Sequence, residues 1–195
     1  MLNSQMIPGW PLFPLIPSGK LLMDEHSKTL EIMRRIGAPR PERIRITGIL
    51  QSPELASLTL LLPGGNNDSS AAVLRLLGTH SINIRFINKY KDSAGNTSLC
   101  LCIDAEFLNK ALDLLDASEK SLGIRGFMYH PRVKVISIYP HKERPRIAER
   151  LLTTLRMNGI HILSINNASS VISCVLNTED VEKAVACLED AFELP

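Results

Sequence analysis

The sequence predicts an α+β fold of two ferredoxin-like βαββαβ units, each a four-stranded antiparallel sheet with two helices on one face, the first unit inserted into the second. Three observations lead to this prediction. Strand and helix patterns alternate from Arg43 onward, each half shows the order strand, helix, strand, strand, helix, strand, and the two halves match in sequence. With 195 residues, 45% hydrophobic and 22% charged, the chain could form two small domains or one large one.

The first 42 residues are predicted to form an arm and one helix. The apolar stretch from Met6 to Pro17 lacks a basic start and contains four prolines, so a signal peptide is not expected. It is also far shorter than the roughly 20 residues that a membrane-spanning helix needs. We expect an extended arm that lies on its own domain or on a partner subunit, with apolar side chains at Trp10, Leu12, Phe13 and Leu15. An amphipathic helix follows, with its apolar stripe at Leu22, His26, Leu30, Met33 and Ile36.

Eight strands and four helices are predicted after Arg43. The strands are Ile44 to Gln51, Ser57 to Leu62, Ile82 to Lys89, Thr97 to Ile103, Ile124 to Tyr129, Val133 to Tyr139, Ile160 to Asn166 and Val171 to Asn177. The helices are Ser69 to Leu77, Ala105 to Glu119, Pro145 to Asn158 and Glu179 to Phe192. Gly78, Gly123 and Gly159 are expected to end the first three helices, because glycine readily takes the left-handed conformation that closes a last turn.

The two halves of the chain align with each other. The segment Ser81-Ile82-Asn83-Ile84 aligns with Gly159-Ile160-His161-Ile162. Without a gap, this alignment places Val73, Leu74 and Leu77 over Leu151, Leu152 and Leu155. With a shorter hairpin in the second half, Ala111 and Leu115 fall over Ala184 and Leu188. An internal duplication of one supersecondary unit follows.

One strand too many precedes the first unit, whereas the second unit is one strand short. Assigning Ile44 to Gln51 to the second unit corrects both counts and inserts the first unit after that strand. The predicted division is therefore an arm and helix at 1–42, a first unit at 54–130 and a second unit at 43–53 plus 131–195.

The charge balance and the aromatic content argue against nucleic acid and membrane partners. Lysine and arginine number 22 against 20 acidic residues, without a long run of like charge. RNA-recognition modules share the βαββαβ order, but they stack bases on sheet aromatics, and here the strands carry chiefly Phe86, Phe127 and Tyr129. Small molecules or proteins are the expected partners.

No catalytic, metal or cofactor motif is found. Phosphate loops, GxGxxG, HExxH and GxSxG are missing, and the histidines have no regular spacing with acids or cysteines, so an enzyme is not expected. The four cysteines lie in apolar patterns, which indicates reduced thiols and a cytoplasmic location. A zinc site at Cys100 and Cys102 is the alternative, but it would need two further ligands.

A ligand site is predicted at the segment Pro63 to Ser70, between the second strand and the start of the helix predicted at Ser69 to Leu77. Its glycines allow close backbone approach, and the helix start offers unpaired N–H groups to a carboxylate. Asn83 and Arg85 on the facing strand add an amide and a guanidinium. The alternative is that Asn67, Asp68 and Ser69 only cap the helix. The second unit's loop, Pro140 to Arg146, is charged and bulky, which favours a solvated or interface loop.

A four-stranded sheet with helices on one face leaves its other face or an edge uncovered. Two-fold dimers are the commonest way to cover such a surface, so we expect a homodimer with a sheet that continues across units. A monomer capped by the N-terminal helix is the alternative.

The ordered set of motifs resembles the paired ACT domains at the C-terminal end of aspartokinases, over roughly Arg43 to Leu194. The landmarks are Thr47-Gly48-Ile49, Ser81-Ile82-Asn83-Ile84, Val133-Lys134-Val135-Ile136-Ser137-Ile138, Ile172-Ser173 and Ala191-Phe192-Glu193-Leu194. The resemblance implies an inserted first ACT unit, dimers formed through these domains, and amino-acid effectors bound at ACT interfaces.

The resemblance also bears on individual residues. Arg85 stands where the family has an aspartate, and Lys89 where some members have a glutamine that contacts effector. The comparison with the family therefore argues against lysine as the effector and leaves a different or more acidic ligand, or no ligand, as the alternatives. The candidate effector-binding residues are Gly65, Asn66, Asn67, Asp68, Ser69, Asn83, Ile84, Arg85 and Lys89. No kinase domain is expected in this chain, so it would act on a separate enzyme subunit.

Two hypotheses result: an amino-acid sensor, and a ligand-free association module that holds a partner enzyme through Trp10, Phe13 and the first helix.

Overall fold

The computed structural model describes residues 43–63, 69–91, 93, 95–140 and 146–195. Residues Ile44–Pro195 form one compact unit. The predicted arm and amphipathic helix before Arg43 lie outside the described residues. Within the described part of the chain, no helix is both long and apolar enough to cross a bilayer.

Strands and helices alternate along the described residues as the sequence predicts. The strands are β1 (Ile44–Gln51), β2 (Leu55–Leu62), β3 (Ile84–Lys91), β4 (Thr97–Asp104), β5 (Gly126–Pro140), β6 (Ser164–Ala168), β7 (Val171–Asn177) and β8 (Phe192–Glu193). The helices are α1 (Ser69–Thr79), α2 (Leu108–Leu122), α3 (Ile147–Met157) and α4 (Val181–Ala191). Short 3-10 turns at Ala105–Phe107 and Thr178–Asp180 lead into α2 and α4, where the sequence predicts continuous helices.

One long strand, β5, connects two ferredoxin-like arrangements in a single sheet. Its first part pairs with β2 in the order β5-β2-β4-β3, and its second part lies between β1 and β7 in the order β1-β5-β7-β6. Each order is that of a βαββαβ unit, and β1 fills the fourth-strand place of the second one. The predicted fold class, with the first unit inserted into the second, is confirmed.

The sequence wrongly divides β5 into two strands, Ile124 to Tyr129 and Val133 to Tyr139. The gap between the two predicted strands contains Pro131, which lacks the N–H needed for a ladder. In the structure the pairing with β2 shifts there, from Ser57 opposite His130 to Leu55 opposite Val133. A bulge of this kind accommodates a proline without ending the strand.

Three helices end in the same way, with a left-handed residue followed by a buried isoleucine. The N–H of Ile82 donates to the Leu77 carbonyl at 3.0 Å, Ile124 to Glu119 at 2.9 Å and Ile160 to Leu155 at 3.0 Å. These are the bonds of a Schellman motif, whose apolar contact explains the burial of the isoleucines. Their apolar character made the predicted strands at Ile82 and Ile160 start too early, since β3 begins at Ile84 and β6 at Ser164.

The left-handed residues at these helix ends are Gly123 (φ 65), Gly159 (φ 70) and Ser81 (φ 61). The prediction that Gly78 ends α1 is therefore wrong, because α1 continues to Thr79 and Ser81 takes the left-handed position instead. A serine at positive φ is strained relative to glycine.

We expect Ser81→Gly to raise the free energy of unfolding by about 0.5 to 1 kcal/mol, because relief of the left-handed strain exceeds the added freedom of the unfolded glycine. Urea denaturation followed by circular dichroism measures the change. The reverse substitution at the equivalent helix end, Gly159→Ser, is expected to destabilise by a similar amount. A Ser81→Gly protein less stable than wild type would contradict the strain at this turn.

Two helix-covered cores lie on the outer faces of the sheet. The first is built from residues between Ala56 and Ile124, the second from Ile46 and residues between Ile136 and Phe192. Phe192, predicted to lie in the last helix, leaves it as β8, is fully buried, and pairs with Ile44 of β1 in parallel. The predicted division at 54–130 and 43–53 plus 131–195 stays a prediction.

A third buried cluster lies between the two halves, on the faces of the sheet that carry no helices. Its members are Leu55, Phe86, Cys100, Cys102, Val133, Val135 and Val175, with Leu163 partly buried against them. The helix-free faces thus cover each other in part within one chain. Tyr90 and Met128, which lie further along the helix-free face of the first half, remain about half exposed. The homodimer stays a prediction.

Candidate functional site

The predicted effector-binding residues fall into two groups. Gly65, Asn66, Asn67 and Asp68 lie outside the described residues. Ser69, Asn83, Ile84, Arg85 and Lys89 are described.

The described residues lie at opposite ends of the first half. Leu62 and Lys91 both pair with Thr97, so the last residues of β2 and β3 and the first residue of β4 lie at the same end of the strands. Ser69 begins α1 after the loop that leaves this end. Asn83 and Arg85 lie at the opposite end of the strands, because α1 spans 11 residues, about 16 Å, before the chain enters β3. A single free amino acid is too short to contact Ser69 and Arg85 of the same copy.

Arg85 lies at a β-bulge and forms an ion pair. The pairing of β3 with β4 shifts between Ile84 and Phe86, which leaves Arg85 as the extra residue. Its Nε donates to Asp104 Oδ1 at 2.9 Å and its Nη2 to Asp104 Oδ2 at 3.0 Å. The hydrogen bond and the charge of Asp104 raise the pKa of the Arg85 guanidinium above its ordinary value. Because the guanidinium is about half exposed, water screens the pair and it adds little to stability.

The other described candidates have different surroundings. Ile84 is partly buried against the helix-covered core of the first half, which accounts for its apolar character without a ligand. Asn83 and Lys89 are exposed, and Lys89 pairs with Leu99 of β4. Exposed amide and ammonium groups at these positions could meet a ligand or a second chain, but neither residue is preorganised by burial.

Strands β3 and β6 contact each other through side chains that the sequence did not predict as functional. Asn88 Nδ2 donates to the Ile165 carbonyl at 2.9 Å and to Ser164 Oγ at 3.3 Å. In return, Asn166 Nδ2 donates to the Ile87 carbonyl at 3.3 Å. We call this contact the seam. Along it the partners of Ile87 and Asn88 are Asn166 and Ile165, so β3 and β6 run antiparallel.

The seam obeys the internal repeat. Extending the gap-free alignment of Ile82 with Ile160 places Ile87 over Ile165 and Asn88 over Asn166. Each repeat thus contributes one Ile-Asn pair, whose amide donates to the isoleucine carbonyl of the other repeat. The same Ile-Asn dipeptide at equivalent positions was the signal in the sequence that could have found this contact.

The second unit's loop lies largely outside the described residues, which resume at Arg146. That residue has φ 86 at the start of α3, and its Nε lies 3.9 Å from Glu149 Oε2. Arg146 is exposed, so this long ion pair is of the weak surface kind. The expected solvated or interface loop stays a prediction.

The four cysteines are free thiols, and three of them are buried. Burial raises the pKa of Cys102 and of Cys174 to about 12, since a thiolate cannot be solvated in an apolar interior. A thiol that stays protonated is a poor metal ligand and a poor nucleophile. Within the described residues, no group of three or more histidine, cysteine or acidic side chains could hold a metal ion.

Comparison with known proteins gives one consistent fold. A family model described as the ACT domain matches residues 141–192. Aspartokinase of Bacillus sp. (strain MGA3) is 22% identical over 155 residues, which are 78% of this chain and 38% of that protein. The chain therefore spans well under half the length of this curated relative.

Solved structures extend the likeness over both halves. The regulatory subunit of aspartate kinase from Thermus flavus superposes with a TM-score of 0.69 at 19% identity, covering 76% of this chain and 99% of that subunit. Aspartate kinase from Synechocystis superposes with a TM-score of 0.70 at 20% identity, covering 77% of this chain and 28% of that enzyme. The resemblance to the paired ACT domains of aspartokinases is thereby confirmed at the level of the fold.

Proposed function

We propose that this chain is a non-catalytic regulatory module of the aspartokinase type, which binds an amino acid or a related small effector and controls a separate enzyme subunit. The observation that carries the proposal is the extent of the likeness, which covers almost all of the regulatory subunit of aspartate kinase from Thermus flavus. Because the described part contains the inserted first unit as well as the second, the regulatory fold is present in both halves. The reduced thiols fit a cytoplasmic location.

The placement of the candidate residues favours a binding site completed by a second copy. Ser69 and Arg85 lie at opposite ends of one copy, too far apart for one small ligand. If two copies pack side by side and antiparallel about a two-fold axis, the Ser69 end of one copy lies beside the Arg85 end of the other. A homodimer would therefore bring the helix start and the guanidinium to the same ligand.

Arg85 would bind the carboxylate of the effector. The ion pair with Asp104 uses Nε and Nη2 of the guanidinium, so a ligand carboxylate would meet Nη1 or displace Asp104. The side-chain pairing of Arg85 thus sets a competition between Asp104 and the ligand. An effector with a second acidic group would interact more strongly with this cationic position than lysine would.

The alternative is a ligand-free dimerisation or protein-interaction module that regulates a separate enzyme subunit. The Arg85–Asp104 ion pair is the observation that favours it, because it neutralises the one arginine among the candidate residues. On this alternative the Arg85 bulge is structural, and the exposed sheet faces and the N-terminal arm make the contacts that matter.

A thermal-shift screen against the twenty amino acids tests the proposal. A ligand that binds only the folded dimer is expected to raise the melting temperature by roughly 5 °C at about a hundredfold excess over its dissociation constant. We expect Arg85→Ala to lose this shift and Asp104→Asn, which releases the guanidinium, to increase it.

Arg132→Ala provides the matched control, because Arg132 forms a similar exposed ion pair with Glu54 at 3.2 Å but is not a candidate ligand residue. That variant is expected to keep the wild-type shift. If no amino acid changes the melting temperature, effector binding is rejected and the interaction module is the remaining hypothesis. A shift that is equal in wild type, Arg85→Ala and Asp104→Asn would place the effector elsewhere.

A further inference from the structure

The seam closes a ring of strands around the third buried cluster. Backbone ladders connect β3 to β4, β4 to β2, β2 to β5, β5 to β7 and β7 to β6. From β6 back to β3 the described contacts are the side-chain amide bonds of Asn88 and Asn166. These three neutral side-chain hydrogen bonds are far weaker than a ladder along a whole strand, so the seam is the weakest boundary of this ring.

The seam also lies directly over two buried thiols. Asn88 pairs with Cys100 of β4, and Phe86, on the same face of β3, pairs with Cys102. Cys100 is 6% exposed and Cys102 is fully buried. On the other side of the seam, Leu163 precedes β6 and packs against the same cluster. Separation of β3 from β6 would therefore uncover Cys100 first and Cys102 with it.

We propose that the seam is a conformational switch point, held closed by the amides of Asn88 and Asn166, whose local opening uncovers the cluster of Cys100 and Cys102 while both helix-covered cores stay intact. The internal repeat makes the two positions equivalent in sequence, although Asn88 donates two hydrogen bonds and Asn166 donates one. If either amide is removed, the other amide still bonds across the seam, and if both are removed, these side-chain hydrogen bonds are lost altogether.

The seam joins the two units at the strand that carries the candidate ligand residues. Arg85 and Lys89 lie on β3 on either side of Asn88. If an effector binds there as proposed above, it would change the seam equilibrium, because its contacts differ between the closed and open arrangements. The seam itself depends only on the amide contacts, so it can be tested without an effector.

Thiol labelling of the whole chain under native conditions measures the opening. All proteins carry Cys187→Ser to remove the partly exposed thiol, are treated with a maleimide at pH 8, and are digested for mass spectrometry. The peptide with Cys100 and Cys102 reports the seam. Cys174, fully buried in the helix-covered core of the second half, reports global unfolding.

We expect Asn88→Ala and Asn166→Ala each to accelerate labelling of Cys100 and Cys102 by about three- to tenfold, the effect of one or two lost hydrogen bonds on an opening equilibrium. Cys174 labelling is expected to stay at the wild-type rate. Asn167→Ala, an exposed neighbour on β6, is the matched control and is expected to change neither rate.

Three results would overturn the proposal. Equal acceleration of Cys174 and the seam thiols would mean that the variants only lower global stability. No acceleration in either variant would mean that the amides do not hold the seam. Acceleration in one variant alone would mean that only one of the two amides holds the seam closed, whereas the proposal requires both. Each result is independent of the amino-acid screen, so failure of effector binding and failure of the seam are distinguishable.

Discussion

Replacing Leu77 with alanine is expected to lower the free energy of unfolding by about 3 kcal/mol, and replacing its repeat equivalent Leu155 by a similar amount. Both side chains are fully buried, one in each helix-covered core. Each also precedes a Schellman helix end and contacts the sheet beneath its helix. Truncation removes apolar contacts and leaves a cavity that rigid neighbouring strands cannot fill.

The informative quantity is the shape of the transition. Because β5 belongs to both halves of the sheet, damage to either core is expected to lower the midpoint of one common transition. Urea unfolding followed by circular dichroism and thermal unfolding followed by differential scanning calorimetry measure the number of transitions. Leu152→Ala, on the exposed side of α3, is the control and is expected to cost less than about 0.5 kcal/mol. Two separate transitions in the Leu77→Ala protein would show that the halves unfold independently.

The topology could be predicted because it follows from local patterns and from repetition. The alignment of Leu77 with Leu155 established the duplication, and the surplus strand at Ile44 then had one consistent place, in the second unit. That assignment is what the pairing of β1 with β5 shows. Periodicity identified the elements well where one face is buried, since burial on one face imposes the period.

Boundaries were predicted less well, because apolar residues serve more than one purpose. Ile82 and Ile160 look like the first residues of strands, but they pack beneath helix ends as part of the Schellman turns. Ser81 shows the converse, since its left-handed position was predicted three residues earlier, at Gly78, on residue type alone. Such turns depend on the backbone path, which residue types constrain only loosely.

The candidate site was predicted least well, because its geometry depends on tertiary contacts. The sequence suggested Arg85 as a ligand residue, yet only the bulge in β3 brings it to Asp104, which follows in the next strand. The seam was missed for the same reason. An asparagine is unremarkable in a strand until a second edge lies opposite its amide.

Alkaline pH is expected to destabilise the protein through two buried thiols. Burial holds the pKa of Cys102 and of Cys174 at about 12 in the folded chain, against 9.0 for an ordinary thiol. Both folded pKa values are raised, so their full contribution to stability is present below pH 9 and is lost as pH rises from 9 to 12. In that window the unfolded chain releases protons that the folded chain keeps.

Each thiol is expected to lower the free energy of unfolding by roughly 1 kcal/mol per pH unit above pH 9, reaching about 2 kcal/mol per thiol at pH 10.5. Other groups, such as lysines and tyrosines, also titrate there, so the measurement is a difference between proteins. Cys102→Ala and Cys174→Ala are expected to be less stable than wild type at pH 7, because each leaves a small cavity, but to lose less stability between pH 8 and pH 10.5. Urea denaturation at each pH gives both numbers.

If wild type and the double variant lose stability in parallel, the two thiols ionise in the folded chain as readily as in the unfolded one, and the interior of the ring must admit water at alkaline pH. If only Cys174→Ala reduces the loss, the seam over Cys102 opens at high pH and lets that thiol ionise without unfolding the cores, whereas an effect of both substitutions means that the cluster stays closed until the whole chain unfolds.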